Sequence, residues 1–593
     1  MPLEMHWARR LRRLPAAAAK RAGLRGHPRG RLAGHEGMLS PRAHRVVVIL
    51  AHPSQTESVR PWLAQFPSDR VHVLSAEQRD DWGLQQAGAR HHRARSLRRI
   101  ANVLRALPSI DVLVTLVSGD LLPKGAGDQL ELYDRLMRFI RKGGIYVLDR
   151  AAAPDTASDE LAPWLRVLAA ADDDVQAIGL APSEVRLARH TGAVEVSADL
   201  VIAQKATKHY VKVHHTGADR VLRRRERDLA VTKLATIDKG SMRSRASVFH
   251  HGAGPLPANM PETIEYPRMH LRHYQGDVAL AGSTLTYTGH SILPDSFRWP
   301  LHATPNNILI RSRSRVFAQV PPDLVPTRRL EGSYYQLDSI HSGHFGHLMT
   351  EMVCRLWGWD RAKQEIPDLK AFFHLPPGKA DRHQLATTLF SAYGIEESDV
   401  VWVTTPVWVD SLVAATPMWH NARPFYAHPG ITDVWDRLSE GLLRDAEDVE
   451  TPDRIFVSRG ARYRRRTCRN IGDVESAFTA RGFSVVYPEE LDLARQAQLF
   501  ANAEVIAGFG GSAMFNLMHA RKAQTVIVLN HDAYIHRNEH LFTSLIGGDV
   551  HYFWSAADSA HPEGGFSRRA LRSGWDFDFE RNGAELEQLL RSL

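Results

Sequence analysis

Short apolar runs alternate with helical stretches along most of this chain, and that alternation constrains its fold more than any other feature. Between residues 46 and 215 the runs RVVVILA, VHVLS, DVLVTLV and GIYVLDR read as buried strands. SLRRIANVLRAL (96–107) and LYDRLMRFIRK (132–142) carry helical periodicity between them. From residue 331 the pattern returns, with strand candidates LKAFF, VVWVTT, RIFVSR, SVVYP, EVIAG, TVIVL and VHYFW. Buried strands separated by helices of ten or more residues predict α/β sheets that are doubly wound, with helices on both faces.

At 593 residues the chain is too long for one core. The expected layout is a basic arm (1–45), a Rossmann-like accessory domain (46–215), a basic and Gly/Pro-rich linker (216–265), and two Rossmann-like halves (266–450 and 451–593) that meet near 425–452. The 46–215 segment resembles the core of a Rossmann-like methyltransferase. Its first turn, LAHPSQTES, nevertheless contains no glycine. The G-x-G that lets a backbone approach a cofactor is missing, so a domain without cofactor is expected. A working nucleotide or methyl-donor site is the alternative.

Charge is unevenly distributed. Residues 1–45 hold eleven Lys/Arg against two Glu, which equals the formal net charge of the whole chain, +9. The rest of the chain is balanced, so its overall basicity is no sign of nucleic-acid binding. The arm reads either as a solubilising tail or as a contact with an anionic membrane surface or polymer, with Trp7, Leu11 and Leu14 on one side of WARRLRRL. It lacks the apolar core of a secretory signal. No run of residues is long and apolar enough to predict a membrane-spanning helix. Two cysteines, Cys354 and Cys468, exclude a disulfide scaffold and a cysteine-based zinc site, and fit a reducing cytoplasm.

Three stretches carry residues suited to chemistry. In HSGHFGHLMTEMVCRLWGW (341–359), Phe345, Leu348, Met349, Met352, Val353 and Leu356 form an apolar stripe, and His347, Glu351 and Arg355 share another face. That face is either a solvated one, with Glu351 paired to Arg355, or it brings a general base to a cleft. His341, His344 and His347 also raise a zinc reading, which the intervening glycines and the lack of an HExxH weaken. In RIFVSRGARYRRRTCRN (454–470) an apolar strand runs into Arg459, Arg462, Arg464, Arg465, Arg466 and Arg469. Guanidinium forks at a strand exit suit a diphosphate; a basic surface loop or an RNA contact are the other readings. In AGFGGSAMFNLMHA (507–520), Gly508, Gly510 and Gly511 precede a helix that Ser512 is expected to cap, with first-turn N–H groups facing an anion. A tight turn relieved by glycine is the plainer reading.

The order of these stretches resembles glycosyltransferase family 61, seen in capsular-polysaccharide biosynthesis proteins and plant xylan-modifying transferases. The helix GHLMTEMVCRLW matches at His347, Glu351, Arg355 and Trp357, with Cys354 where proline is usual. Ser458, Arg459, Arg466 and Asn470 match the arginine segment, with Ile471 replacing an acidic residue. Pro488, Glu489, Leu491, Gln496, Leu499, Phe500, Ala503, Gly508, Gly511 and Asn516 match the last segment, where Gly510 stands in place of the family's usual histidine. The resemblance spans roughly 265–555.

It implies an inverting transferase of the GT-B type, in which two Rossmann-like halves hold a nucleotide-sugar between them. His347 or Glu351 is then the base, with His344 a further candidate. Arg459, Arg466, Asn470, Gly508, Gly510, Gly511, Ser512 and Asn516 serve the donor, with Gln496 and Glu489 as additional candidates. No cofactor or metal is implied. The implied partners are a nucleotide-sugar and a polysaccharide or lipid-linked glycan, with no nucleic acid. The implied place is the cytoplasm, at the inner face of the membrane if the arm binds there. Two alternatives stand: a non-catalytic polysaccharide-assembly protein that keeps the fold, and a methyltransferase acting through residues 46–215.

Overall fold

The structure is a computed structural model that describes residues 46–77, 88–117, 119–125, 127–153, 161, 165, 187–252, 260–299, 301–311, 314–375, 383–421, 424–444, 446–460 and 466–593. The basic arm and Arg462, Arg464 and Arg465 lie outside the described residues. The architecture is mixed α/β, with three large sheets.

The first is seven-stranded, in the spatial order Arg90–Arg93, Val71–Ser75, Val47–Leu50, Ile110–Thr115, Ile140–Asp149, Leu200–Lys205, Thr191–Val196. The first five run parallel, and 200–205 is antiparallel to both its neighbours. The helix expected at 132–142 spans Gln129–Met137 instead. Ile140 already pairs with Ile110, because the β-branched run that follows is buried in the sheet. Strand order reverses between 47–50 and 110–115, the point where open α/β sheets bind ligands. There the Gln55 side chain donates to the carbonyls of Leu116 (2.6 Å) and Ala152 (2.9 Å) and accepts from the His52 N–H (2.7 Å). A buried amide thus stitches together the crevice that a glycine-rich turn would leave open.

The second sheet has ten strands. Its long member, Met269–Leu280, lies antiparallel to Val407–Ala415 and to Ala230–Ile237. Arg328–Gln336, Lys370–His374 and Val400–Val403 extend the sheet in parallel from 407–415. The third has six strands, all parallel, in the order Ser484–Val486, Arg454–Val457, Val505–Phe509, Thr525–His531, Gly548–Ser555, Ala246–His251.

Residues 216–265, expected as a linker, are therefore structural. They supply the helix Ala218–Arg225, the 230–237 strand of the second sheet and the 246–251 strand of the third. These strands alternate exposed and half-buried positions and keep charged or polar groups on the open face, so their composition resembles that of a connector.

Between the second and third sheets lies one continuous apolar core. It joins Phe373 and Val413 of one sheet to Ile506 and Val526 of the other through Trp435, Leu438, Met514 and Phe542 on the intervening helices. The buried Ser439 hydroxyl and His519 Nδ1 lie 2.8 Å apart within it, fixing Ile431–Arg444 against Ser512–His519. Among the described residues no helix is long and apolar enough to cross a membrane.

Candidate functional site

In the third sheet the strand order reverses between 454–457 and 505–509. The carboxyl ends of these two strands deliver Ser458–Arg459 and Gly510–Gly511 to the same crevice, the topological switch point. Gly511 has φ +151°, a backbone region that essentially only glycine occupies, and a Cβ there would lie 2.3 Å from Arg459 Nη2. Gly508 is buried in the strand against Val457.

Two amides of the turn are taken up within the protein. The Gly510 N–H donates to the Leu529 carbonyl (3.1 Å), and the Gly511 N–H donates to Oε1 of the buried Glu539 (2.7 Å). It is the Gly510 carbonyl that gathers the arginines: Arg459 Nη2 donates to it, and Arg466 Nη1 does so at 3.4 Å. Burial and the neighbouring Arg466 push Arg459 down to about 10. Arg466 adopts a left-handed backbone (φ 57°), and its guanidinium lies 4.8 Å from the centre of the Tyr534 ring. Ser512 does not cap the following 3-10 helix, Ser512–His519. Gly511 holds the cap position, and Ser512 is the first helical residue.

The opposite wall is the expected helix, wound in an unexpected way. Phe345–His347 is a single α-turn, Leu348–Met352 a π-helical turn, Val353–Gly358 a 3-10 stretch, and only Trp359–Glu365 returns to α. Such π-turns concentrate at functional sites. This wall meets the glycine turn closely: a Cβ on Gly346 would lie 3.0 Å from the Ser512 Cβ and 3.3 Å from the Phe515 ring.

His347 Nδ1 lies 2.6 Å from Glu351 Oε1, which also receives Arg298 Nε at 2.6 Å; Glu351 Oε2 accepts the Ile340 N–H at 3.0 Å. Glu351 and Arg355 form no surface pair. Both are buried, and Arg355 donates instead to the Asp338 carbonyl (3.2 Å). Burial alone would raise the Glu351 pKa, but Arg298, and then His347, outweigh it and hold the carboxylate at about 2. An ionised carboxylate only accepts, so His347 Nδ1 is the donor in this pair, and Nε2 points away from Glu351. The rings of His341 and His344 stand edge-on to His347, at 4.7 and 5.2 Å.

Between the walls lies a cavity of about 310 Å³, bounded by His344, His347, Ser512 and Arg466. Arg298, Arg572, Tyr534 and His536 add to its polar lining together with Thr350, Asn421 and Asn538, and among the described residues no Asp or Glu lines it. Burial, followed by Arg466, lowers both His531 and His536 to about 4, so neither carries charge at neutral pH. Arg459 supports Gly510 from behind and does not line the cavity.

Other residues singled out from the sequence do structural work. Asn470 clasps the Phe577 backbone through both ends of its amide (2.9 and 2.8 Å). Asn516 donates to Gln496 (2.9 Å), which in turn donates to the carbonyls of Pro488 and Leu491. Glu489 accepts the Gly460 N–H at 2.6 Å, just after Arg459. Gly510 has no room for a larger side chain, since its Cβ would fall 2.3 Å from the Asn530 side chain. Arg298, Arg572, Tyr534 and His536 went unnoticed in the sequence. Tyr534 and His536 sit among the basic residues of HDAYIHRNEH, the one local hint among them.

Residues 345–528, which span both walls, match the family model of glycosyltransferase 61. This segment is a glycosyltransferase family 61 segment. No curated protein matches the chain. Among solved structures it is similar to the MycE methyltransferase of the mycinamycin biosynthetic pathway, in complex with Mg and SAH, at 14% identity over 33% of this chain and 48% of that one (TM-score 0.21). It thus spans about half the length of that relative. It is also similar to a putative O-methyltransferase from Klebsiella pneumoniae, at 15% identity over 33% of this chain and 90% of that one (TM-score 0.18). A third is the antibiotic-resistance methyltransferase Kmr, at 16% identity over 30% and 95% (TM-score 0.17). Likenesses this slight say nothing of activity.

Proposed function

We propose that this family 61 chain is an inverting glycosyltransferase that moves a sugar from a nucleotide-sugar to a polysaccharide or lipid-linked glycan at the cell surface. The observation that carries the reading is the cavity at the switch point, which Arg466 and Arg572 line together with His347, and which Arg298 joins while paired to Glu351. A diphosphate fits such a site, and guanidiniums can neutralise its departing charge without a divalent cation. In this reading the two sheets and their shared helices are the halves of a GT-B fold, with 266–450 on the acceptor side and 451–593 on the donor side. The work is cytoplasmic.

The chemistry asks little of the protein. His347 Nε2 takes the proton of the acceptor hydroxyl as its oxygen bonds the anomeric carbon, and the bond from that carbon to the diphosphate oxygen breaks on the opposite face. Glu351 is the orienting partner. Its three hydrogen bonds and depressed pKa make it a poor base, and its grip on Nδ1 aims Nε2. Arg466 meets the diphosphate, and Arg459 holds the Gly510 carbonyl.

A thermal-shift panel of nucleotide-sugars tests the reading. A donor at 100 times its Kd should stabilise the protein by about 2.7 kcal/mol; no response to any nucleotide-sugar would sink it. The non-catalytic alternative draws on Gly510, because Asn530 fills the space of the family's usual histidine. It expects donor binding with neither transfer nor hydrolysis. For the N-terminal sheet, the Gln55 stitch supports an accessory role, and titration with S-adenosylmethionine should give no binding.

A further inference from the structure

A second and larger cavity, about 1000 Å³, opens beside the 218–225 helix. Six cationic side chains line it: Arg220, Arg223, Arg224, Lys233, Lys239 and Arg268. Only two carboxylates join them, Asp219 and Glu265. Asp219 is already occupied by Lys233 (2.5 Å) and the buried Arg272 (3.2 Å), and Arg268 pairs with Asp238 (2.9 Å). Among the described residues Arg220, Arg223, Arg224 and Lys239 form no ion pair. Four cations without an ion-pair partner, set against the one remaining carboxylate of Glu265, amount to a site for a polyanion.

Its position narrows the choice of polyanion. The two cavities lie near each other. Arg298 lines the first and Leu301 the second; on another segment Asn421 lines the first and Pro424 the second. Three residues of chain span at most about 11 Å, so lining residues of the two cavities stand within that distance of one another, short enough for one extended ligand to occupy both. The volume lies at the upper end of the range for organic ligands. A nucleic-acid duplex is too broad for a pocket of this kind, and single strands call for a row of stacking aromatic side chains. Of the lining aromatics, Tyr426 is fully buried, which leaves Tyr266.

We infer that the second cavity holds the already-built part of the acceptor, and that this acceptor is an anionic glycan carrying carboxylate or phosphate groups. The inference rests on the transferase reading above. The acceptor's growing end would enter beside His347 while its charged units lie along Arg220, Arg223, Arg224 and Lys239.

Binding measured on the full chain tests this. The probes are oligogalacturonate for carboxylates, an oligomer of poly(glycerol phosphate) for phosphates, neutral dextran of equal length, and oligo-dT. At least one charged glycan should bind, more weakly as salt rises, and dextran should not. The combined variant Arg220→Glu, Arg223→Glu, Arg224→Glu should lose tenfold or more in affinity for the glycan while nucleotide-sugar stabilisation stays unchanged. Lys239→Glu, on a separate element, should lose several-fold, which keeps the test decisive if the triple variant does not fold. Equal binding by wild type and variants, no binding of either charged glycan, dextran binding as tightly, or oligo-dT binding more tightly would each overturn the inference at the cavity itself. A wild type that binds charged glycans but no nucleotide-sugar overturns it differently, by removing the transferase reading.

Discussion

In the proposed reaction Glu351 and His347 divide one task between them, and the division can be measured. His347→Ala should lower kcat by roughly 10²–10⁴-fold with little change in fold, as expected for loss of a general base. Glu351→Gln should lower kcat less, because the imidazole remains but is no longer held by a charge. It should also change stability in a defined pH window. The Glu351 pKa is depressed in the folded state, from 4.5 to about 2. Its contribution is therefore complete above pH 4.5 and is lost as pH falls through about 2, with an order of magnitude of roughly 3 kcal/mol. Urea unfolding between pH 2 and 6 should show the wild type falling more steeply than Glu351→Gln; parallel curves would rule out the depressed pKa. Arg466→Ala should raise donor KM and lower kcat, with a loss of roughly 1.5–3 kcal/mol. Arg459→Ala, acting through the Gly510 carbonyl, should cost less. The His347–Glu351 spacing was legible in the sequence because both residues sit on one short segment. The partner of Glu351 was not: Arg298 lies far off in the chain, and the nearer Arg355 fitted the same helical rule while its side chain turned to Asp338.

The walls of the cavity are elements held closer than ordinary helices allow. Gly346→Val should force the 345–347 turn away from Ser512 and Phe515 and reduce activity more than melting temperature. Activity equal to wild type would mean that this close approach is incidental. Gly511→Ala should cost roughly 1–3 kcal/mol from backbone strain alone and displace Arg459 as well. At this scale the sequence pattern located five of the six strands of the third sheet, since most of them are runs of buried residues. The π-turn at 348–352 left no trace, because its apolar spacing also satisfies an α-helix. The strands within 216–265 were missed for the opposite reason: half-exposed strands hide their period among charged residues. Glycines 508, 510 and 511 left two readings open, an approach of the next helix to an anion and a tight turn; the Glu539 carboxylate and the Leu529 carbonyl take up the amides of Gly511 and Gly510, as a tight turn requires.

At the scale of the molecule, the two sheets around the cavity extend well beyond the segment that matches the family. The strand 246–251 adds to the free edge of 548–555, and 230–237 pairs with 269–280. A chain begun at residue 266 should therefore leave the 548–555 edge unpaired and aggregate, whereas one begun at residue 207 should elute in size-exclusion chromatography without aggregate. Equal behaviour of the two would show that 246–251 is dispensable.

That same strand sets a timetable. His251 and His551 lie side by side in the finished sheet but are 300 residues apart in the chain. At about 5–20 residues per second, the ribosome delivers 246–251 roughly 15–60 s before its partner exists. For that interval the nascent protein carries an unpaired strand with Phe249 on it, and the third sheet can close only after residues 548–555 have been made. Slowed translation between residues 252 and 555 would lengthen the exposure, and a chaperone acting on this chain would find its target near residue 250.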